Sequence, residues 1–271
     1  MRTPARNDQR VRTDPRFTRR RRTVERLRRR KVLIRCVVVS VAAAATWAAG
    51  WSPLLDVRDV QVVGAVHTRT ADVIAASGVR GGENLLLLST EDVARAARAL
   101  PWVADVDVDR MLPGTVRIKI EEREPAFVLS LGAARWTLDA RGNVLSAGEA
   151  RSGLPVLAGV QVATVEPGVR LETREAVDAL AVVNSLPGPL RRQVQGVFAP
   201  TLERISLKLS DGTIVRYGAA EDIGDKNAVL AAVLKRIRAE DLPAAYVDVR
   251  VPSAPAISAE GAEPGADASP D

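Results

Sequence analysis

The sequence predicts an α+β chain: a single transmembrane helix, then a β-α-α-β-β domain, then a second β-rich domain with a late helix and a final edge strand. Three observations carry this. Cys36 to Leu55 is a stretch of twenty residues without a formal charge, and a helix of that length spans roughly 30 Å, the hydrocarbon thickness of a bilayer. The charge is divided about it: residues 1–35 hold fifteen Arg and Lys against Asp8, Asp14 and Glu25, a net of +12, so the remainder carries −6 of the whole chain's +6. Beyond Asp56, alternating apolar runs interleave with two capped helical stretches.

The arginine-rich segment 1–31 has too few apolar side chains to pack and is expected to be disordered. Arg and Lys accumulate on the cytoplasmic flank of a membrane helix, so the expectation is a tail inside and a body outside, a single-pass type II arrangement. Such a tail suits anionic headgroups of the inner leaflet. With no folded DNA-binding motif beside it, no specific nucleic acid is expected. Ala48-Ala49-Gly50 imitates a signal-peptidase site, but the charged lead of about thirty-five residues far exceeds a signal peptide's n-region. The predicted span, 32–55, is therefore an uncleaved anchor.

Val57–Val66 reads as a strand ending at the turn residue Gly64. Thr70 is placed as the N-cap of a short helix that stops at Gly78, and Ser89 or Thr90 caps a second, broken by Pro101. Next comes a hairpin across Met111–Gly114. Val108 set opposite Val116 pairs Asp107 with Arg117 and Asp105 with Lys119, exposed pairs that help to fix register. This completes strand, helix, helix, strand, strand over residues 56–124.

From Pro125 the chain is β-rich to Val251. Ala134–Ser146 is a hairpin about Asp139-Ala140-Arg141-Gly142, and Leu154–Val160 a short strand whose Pro155 puts it near an edge or a strand start. Thr173–Leu186 is a helix. Asp211-Gly212 turns a second hairpin. In the late helix Val229, Leu230, Val233, Leu234 and Ile237 share one face. The last strand is Ala244–Val251, ended by Pro252 and Pro255, and 252–271 is expected to be disordered.

Nothing in this points to catalysis. His67 is the only histidine and Cys36 the only cysteine, which leaves neither a metal pair nor a nucleophile–base couple. His67 is expected to be exposed in a turn. Asp105, Asp107 and Asp109 have basic cross-strand partners, and Gly81-Gly82 lacks the lysine of a phosphate loop. No enzyme activity and no cofactor are expected. Binding remains, and a terminal strand offers it. The residues Tyr246, Val247, Asp248, Val249, Arg250 and Val251 form the candidate edge for strand addition, the alternative being that they are only the last strand of the core.

Several motifs carry a resemblance: Leu100-Pro101-Trp102-Val103, Arg110-x-x-Pro113-Gly114-Thr115 and Glu122-Arg123-Glu124-Pro125. In this order, behind such an anchor, Val57–Val251 resembles the bacterial cell-division family FtsQ/DivIB, with 56–124 similar to a POTRA domain. The resemblance implies a divisome scaffold at the septum that binds FtsB/DivIC-like and FtsL-like membrane proteins. It also implies that Tyr246–Val251 dock a partner by strand addition, with Ile257 in place of the aromatic anchor of some relatives. The first strand could offer a second edge. The alternative function is a POTRA-bearing transport or assembly component that chaperones extended polypeptides.

Overall fold

The computed structural model describes residues 31–44, 47, 55–149 and 151–259. The expected disordered tail 1–31 lies outside these, Lys31 excepted, as do much of the expected membrane helix and residues 260–271 of the C-terminal tail. A helix, α1, runs over residues 31–44. Among the described residues no helix is long and apolar enough to cross a membrane.

The chain divides into two compact units. The smaller takes the described residues of Met1–Asp59 with Gly81–Leu88 and Met111–Thr115; the larger holds Val60–Arg80, Ser89–Arg110 and Val116–Asp271. In the small unit, backbone bonds tie the segment after Leu55 to two loops. Leu85 N–H donates to Leu55 C=O at 2.8 Å, Val57 N–H to Glu83 C=O at 2.8 Å, and Arg58 N–H to Gly114 C=O at 2.7 Å.

The expected β-α-α-β-β order is present: β1 (Asp59–Val63), α2 (Thr70–Ser77), α3 (Thr90–Arg98), β2 (Val103–Met111) and β3 (Thr115–Glu122). Sheet order is β1-β3-β2, so β1 is an edge strand as anticipated. Val73, Val93, Ala97, Val103, Val116 and Ile118 are buried. Gly64 sits at φ 91, and a Cβ there would stand 2.2 Å from the Ile120 carbonyl oxygen, so only glycine fits the exit from β1. The cap of α2 is Arg69 rather than Thr70, whereas Ser89 caps α3 and accepts from Asp92 N–H at 3.2 Å.

The charge pairs of the hairpin differ from the sequence expectation. Lys119 reaches Asp109 at 2.8 Å and Asp107 at 3.4 Å, and Asp105 turns instead to Arg98 of α3 at 3.0 Å. A slip of two residues keeps every side chain on its own face, so apolar alternation does not choose among these charge partners.

The β-rich part is one sheet of nine strands, ordered β12-β11-β10-β9-β8-β7-β4-β5-β6. Its strands are β4 (Pro125–Leu131), β5 (Ala134–Asp139), β6 (Val144–Ala147), β7 (Val156–Ala158), β8 (Val194–Phe198), β9 (Ile205–Leu209), β10 (Ile214–Gly218), β11 (Tyr246–Asp248) and β12 (Ala256–Ser258). Both expected hairpins form, antiparallel β5–β6 and β9–β10. β7 is central, parallel to β4 and to β8, and Pro155 simply precedes it. The helices α4 (Arg174–Ser185), α5 (Gly188–Arg191) and α6 (Ile223–Ala239) contribute Leu180, Val183, Leu190, Leu230 and Leu234 to a core shared with Leu129, Leu157, Val197, Leu207, Val215 and Val247.

Candidate functional site: a partner-binding sheet edge

β11 is not the edge of the sheet. It lies between β10, with which it pairs in parallel, and β12, with which it pairs antiparallel. The chain turns back after Val251, with Ala254 N–H donating to Val251 C=O at 3.0 Å, and returns as a strand within the stretch expected to be disordered. Pro252 lies in the turn and Pro255 directly precedes the returning strand. An Ala-Ile-Ser strand is too short and too weakly β-prone to be seen in sequence.

Each predicted residue therefore has a different place from the one expected. Val247 and Val249 are fully buried, and Val249 N–H donates to Arg216 C=O at 3.0 Å. The Tyr246 ring lies under the Arg216 guanidinium, 4.9 Å from its centroid, and its hydroxyl donates to Asp248 Oδ2 at 2.9 Å. Asp248 also accepts from Arg250: the backbone N–H at 2.9 Å, Nε at 2.9 Å and Nη2 at 2.7 Å. Burial pushes the Asp248 carboxyl up, but the Arg250 guanidinium and N–H outweigh it and hold the group below its usual range. Burial, and next the bond to Asp248, pushes the Tyr246 phenol up. The stem of Arg250 passes over Gly218, where a Cβ would meet its Cγ at 3.0 Å. Val251 is exposed. Most of the hexapeptide forms a wall behind the edge.

Among the described residues the edge is β12. Within a strand, the N–H and C=O of one residue point to one side and those of its neighbours to the other. Ala245 C=O and Val249 N–H are bonded to β10, so Tyr246 and Asp248 direct theirs toward β12, opposite Ser258 and Ala256. Ile257, facing Val247, therefore turns its N–H and C=O away from β11. Its side chain is 39% exposed.

The region 55–124 holds a second arrangement that sequence reasoning missed. Glu122 accepts from the backbone N–H groups of Val66, His67 and Thr68 at 2.8–3.0 Å and contacts His67 Nδ1 at 2.9 Å. His67 is exposed, as expected, but it stacks on Trp102 with ring centroids 4.2 Å apart and planes within 7°. Among the described residues no group of three or more His, Cys, Asp or Glu side chains could hold a metal ion.

Two helices beside a three-stranded sheet, followed by an open mixed sheet with a short outer strand, define a POTRA-type domain joined to a β-rich domain. The comparisons with known proteins agree. Residues 55–123 match the POTRA domain of FtsQ type, and residues 132–250 match the C-terminal domain of the cell division protein FtsQ/DivIB. The chain belongs to the FtsQ/DivIB family of cell division proteins. Its relatives include the cell division protein FtsQ of Corynebacterium glutamicum, 31% identical over 203 residues, covering 74% of this chain and 86% of the relative. That of Streptomyces collinus is 32% identical over 236 residues, covering 84% and 87%. A solved extracytoplasmic domain of DivIB from Geobacillus stearothermophilus is 20% identical and covers 43% of this chain and 97% of its own, at a TM-score of 0.30, too distant a likeness to argue from.

Proposed function

We propose that this chain is a non-catalytic, membrane-anchored divisome scaffold that binds FtsB/DivIC-like and FtsL-like partners and so helps to organise septal wall synthesis. In this reading 1–31 is a cytoplasmic tail, 32–55 the anchor, 56–124 the POTRA domain and 125–251 the β domain, with both domains outside. The partner adds a strand to the outer side of β12, and Tyr246–Val251 support that edge from behind. The single observation that carries the docking proposal is the outward-facing N–H and C=O of Ile257. Family membership supports the division role, and the charge asymmetry about Cys36–Leu55 supports the topology. Anchoring confines both partners to one membrane plane and raises their effective concentration.

The test has two arms. A fluorescent fusion of the full chain should gather at midcell in dividing cells, and a uniform envelope signal would count against the division role. Co-purification of the partner with the full chain should be reduced several-fold in Ile257→Pro, which removes the outward donor. Undiminished co-purification by that folded variant would defeat the proposed edge.

A further inference from the structure

The small unit carries an unusual surface. Leu86 is 48% and Leu87 81% exposed, on the loop whose neighbouring Leu85 is fully buried; Met111 is 37% and Leu112 67% exposed at the tip of the β2–β3 hairpin. Leu86 and Leu87 lie on one loop and Met111 and Leu112 where β2 runs into its turn, yet both stretches are bonded to the same short segment. Leu85 N–H is held by Leu55 C=O, Asp56 bridges to Asn84, and Gly114 C=O is held by Arg58 N–H.

Leu55 is also the last residue of the uncharged stretch that begins at Cys36. A residue adds at most about 3.6 Å to the reach of a chain, so Leu86 and Leu87 stand within a few residues' span of the point where that stretch ends. Exposed leucines on loops have no packing role in the fold that carries them, whereas an interfacial position would bury them among acyl chains and headgroups.

We infer that Leu86, Leu87, Met111 and Leu112 form a lipid-docking surface that seats the small unit on the outer leaflet of the membrane. This rests on the reading of 32–55 as the anchor. The anchor supplies the tether, and the two apolar loops make further contacts that restrict how the ectodomain leans. The occupant is the bilayer interface; a protein partner on the same leucines is the competing outcome.

The experiment uses the full chain reconstituted in phosphatidylcholine–phosphatidylglycerol vesicles. Leu87→Cys, Leu112→Cys and Val66→Cys are each made with Cys36→Ser and labelled with a polarity-sensitive fluorophore, and the unmutated chain is labelled at Cys36. Val66 is 81% exposed but beyond the C-terminal end of β1. Quenching by lipids bearing nitroxide near the headgroup should be several-fold stronger at positions 87 and 112 than at 66, with blue-shifted emission. If Cys36 is quenched but positions 87 and 112 behave like 66, the docking surface is wrong, the leucines await another occupant, and the anchor stands. If Cys36 is not quenched either, the anchor reading fails and the docking surface with it. Both leucine side chains are exposed, so neither substitution disturbs the core.

Discussion

Arg123 Nη1 stands 3.0 Å from Asp139 Oδ2 and joins the residue after β3 to the turn between β5 and β6. Asp139 is 8% exposed, and its two oxygens also accept from Arg141 N–H, Asn143 N–H and the Asn143 amide at 2.7–2.8 Å. One carboxylate thus closes the β5–β6 turn and fastens the end of β3 to it. Asp139→Ala leaves Arg123 and two turn N–H groups without that acceptor, and the expected loss of stability is about 2–4 kcal/mol. Denaturant unfolding of the variant against the parent measures it, and a difference below about 0.5 kcal/mol would show the pair to be solvated.

Glu122 gives a pH signature. Burial pushes its carboxyl up, but the N–H groups of His67 and Thr68, the His67 ring and Val66 N–H outweigh that and hold it at about 2, against 4.5 in the unfolded chain. The folded value is depressed, so the stability it contributes is fully present above about pH 4.5 and is lost as pH falls from there through about 2. The shift corresponds to roughly 3 kcal/mol. Glu122→Gln should be destabilised at neutral pH and should lose most of the stability slope in this window. A parallel pH profile for parent and variant would overturn the assignment. Hydrogen exchange at Val66–Thr68 should quicken in the same variant.

The β2 edge is closed by side chains. Arg98 Nη2 donates to Val106 C=O at 2.9 Å, Asp105 Oδ1 accepts Val106 N–H at 2.8 Å, and Arg98 and Asp105 are themselves paired. An incoming strand finds both peptide groups of Val106 taken, as befits a protected edge. The Arg98→Ala, Asp105→Ala double variant should self-associate, raising the protein mass per detergent micelle by light scattering. Lys119→Ala, which frees no backbone group of Val106, should not. Equal masses for parent and double variant would show that the pair does not guard the edge.

Two proline substitutions separate edge from wall. Ile257 N–H faces away from β11, so Ile257→Pro should leave the sheet folded while weakening a strand-adding partner about 3–10-fold, the worth of one backbone hydrogen bond. Val249 N–H is already bonded to Arg216, so Val249→Pro should unfold the β11 region and lower the thermal midpoint. A stable, binding-deficient Val249→Pro beside a binding-competent Ile257→Pro would return the docking edge to β11.

Much of the fold is legible because its signals are local. Gly78 at φ 69 ends α2, and Gly212 at φ 89 turns β9 into β10, each at the position its sequence predicted. Asp139 was legible as a turn residue but its tie to Arg123 was not, since sixteen residues separate them. His67 is exposed, as its turn position implies, yet its stack on Trp102 depends on where α3 and β2 deliver the indole. The candidate site was legible as a region only. Tyr246–Val251 read as a terminal strand, and whether such a strand is an edge depends on what pairs outside it, here β12.

Legible in the sequence alone are the elements whose cause lies within a few residues: the uncharged stretch from Cys36 to Leu55 with its charge asymmetry, the Ser89 cap of α3, the Gly78 stop of α2, the glycine turns and the apolar face of α6. It also carried the motifs that place the chain in its family. Tertiary packing settles the charge pairs that give Lys119 to Asp107 and Asp109 and Asp105 to Arg98, the interior place of β7, and the identity of the outermost strand. A strand's partner is set by backbone groups arriving from elsewhere in the chain, and Ala256–Ser258 has almost no side-chain signal of its own. Only the pairing of Val247 with Ile257 makes β12 the edge.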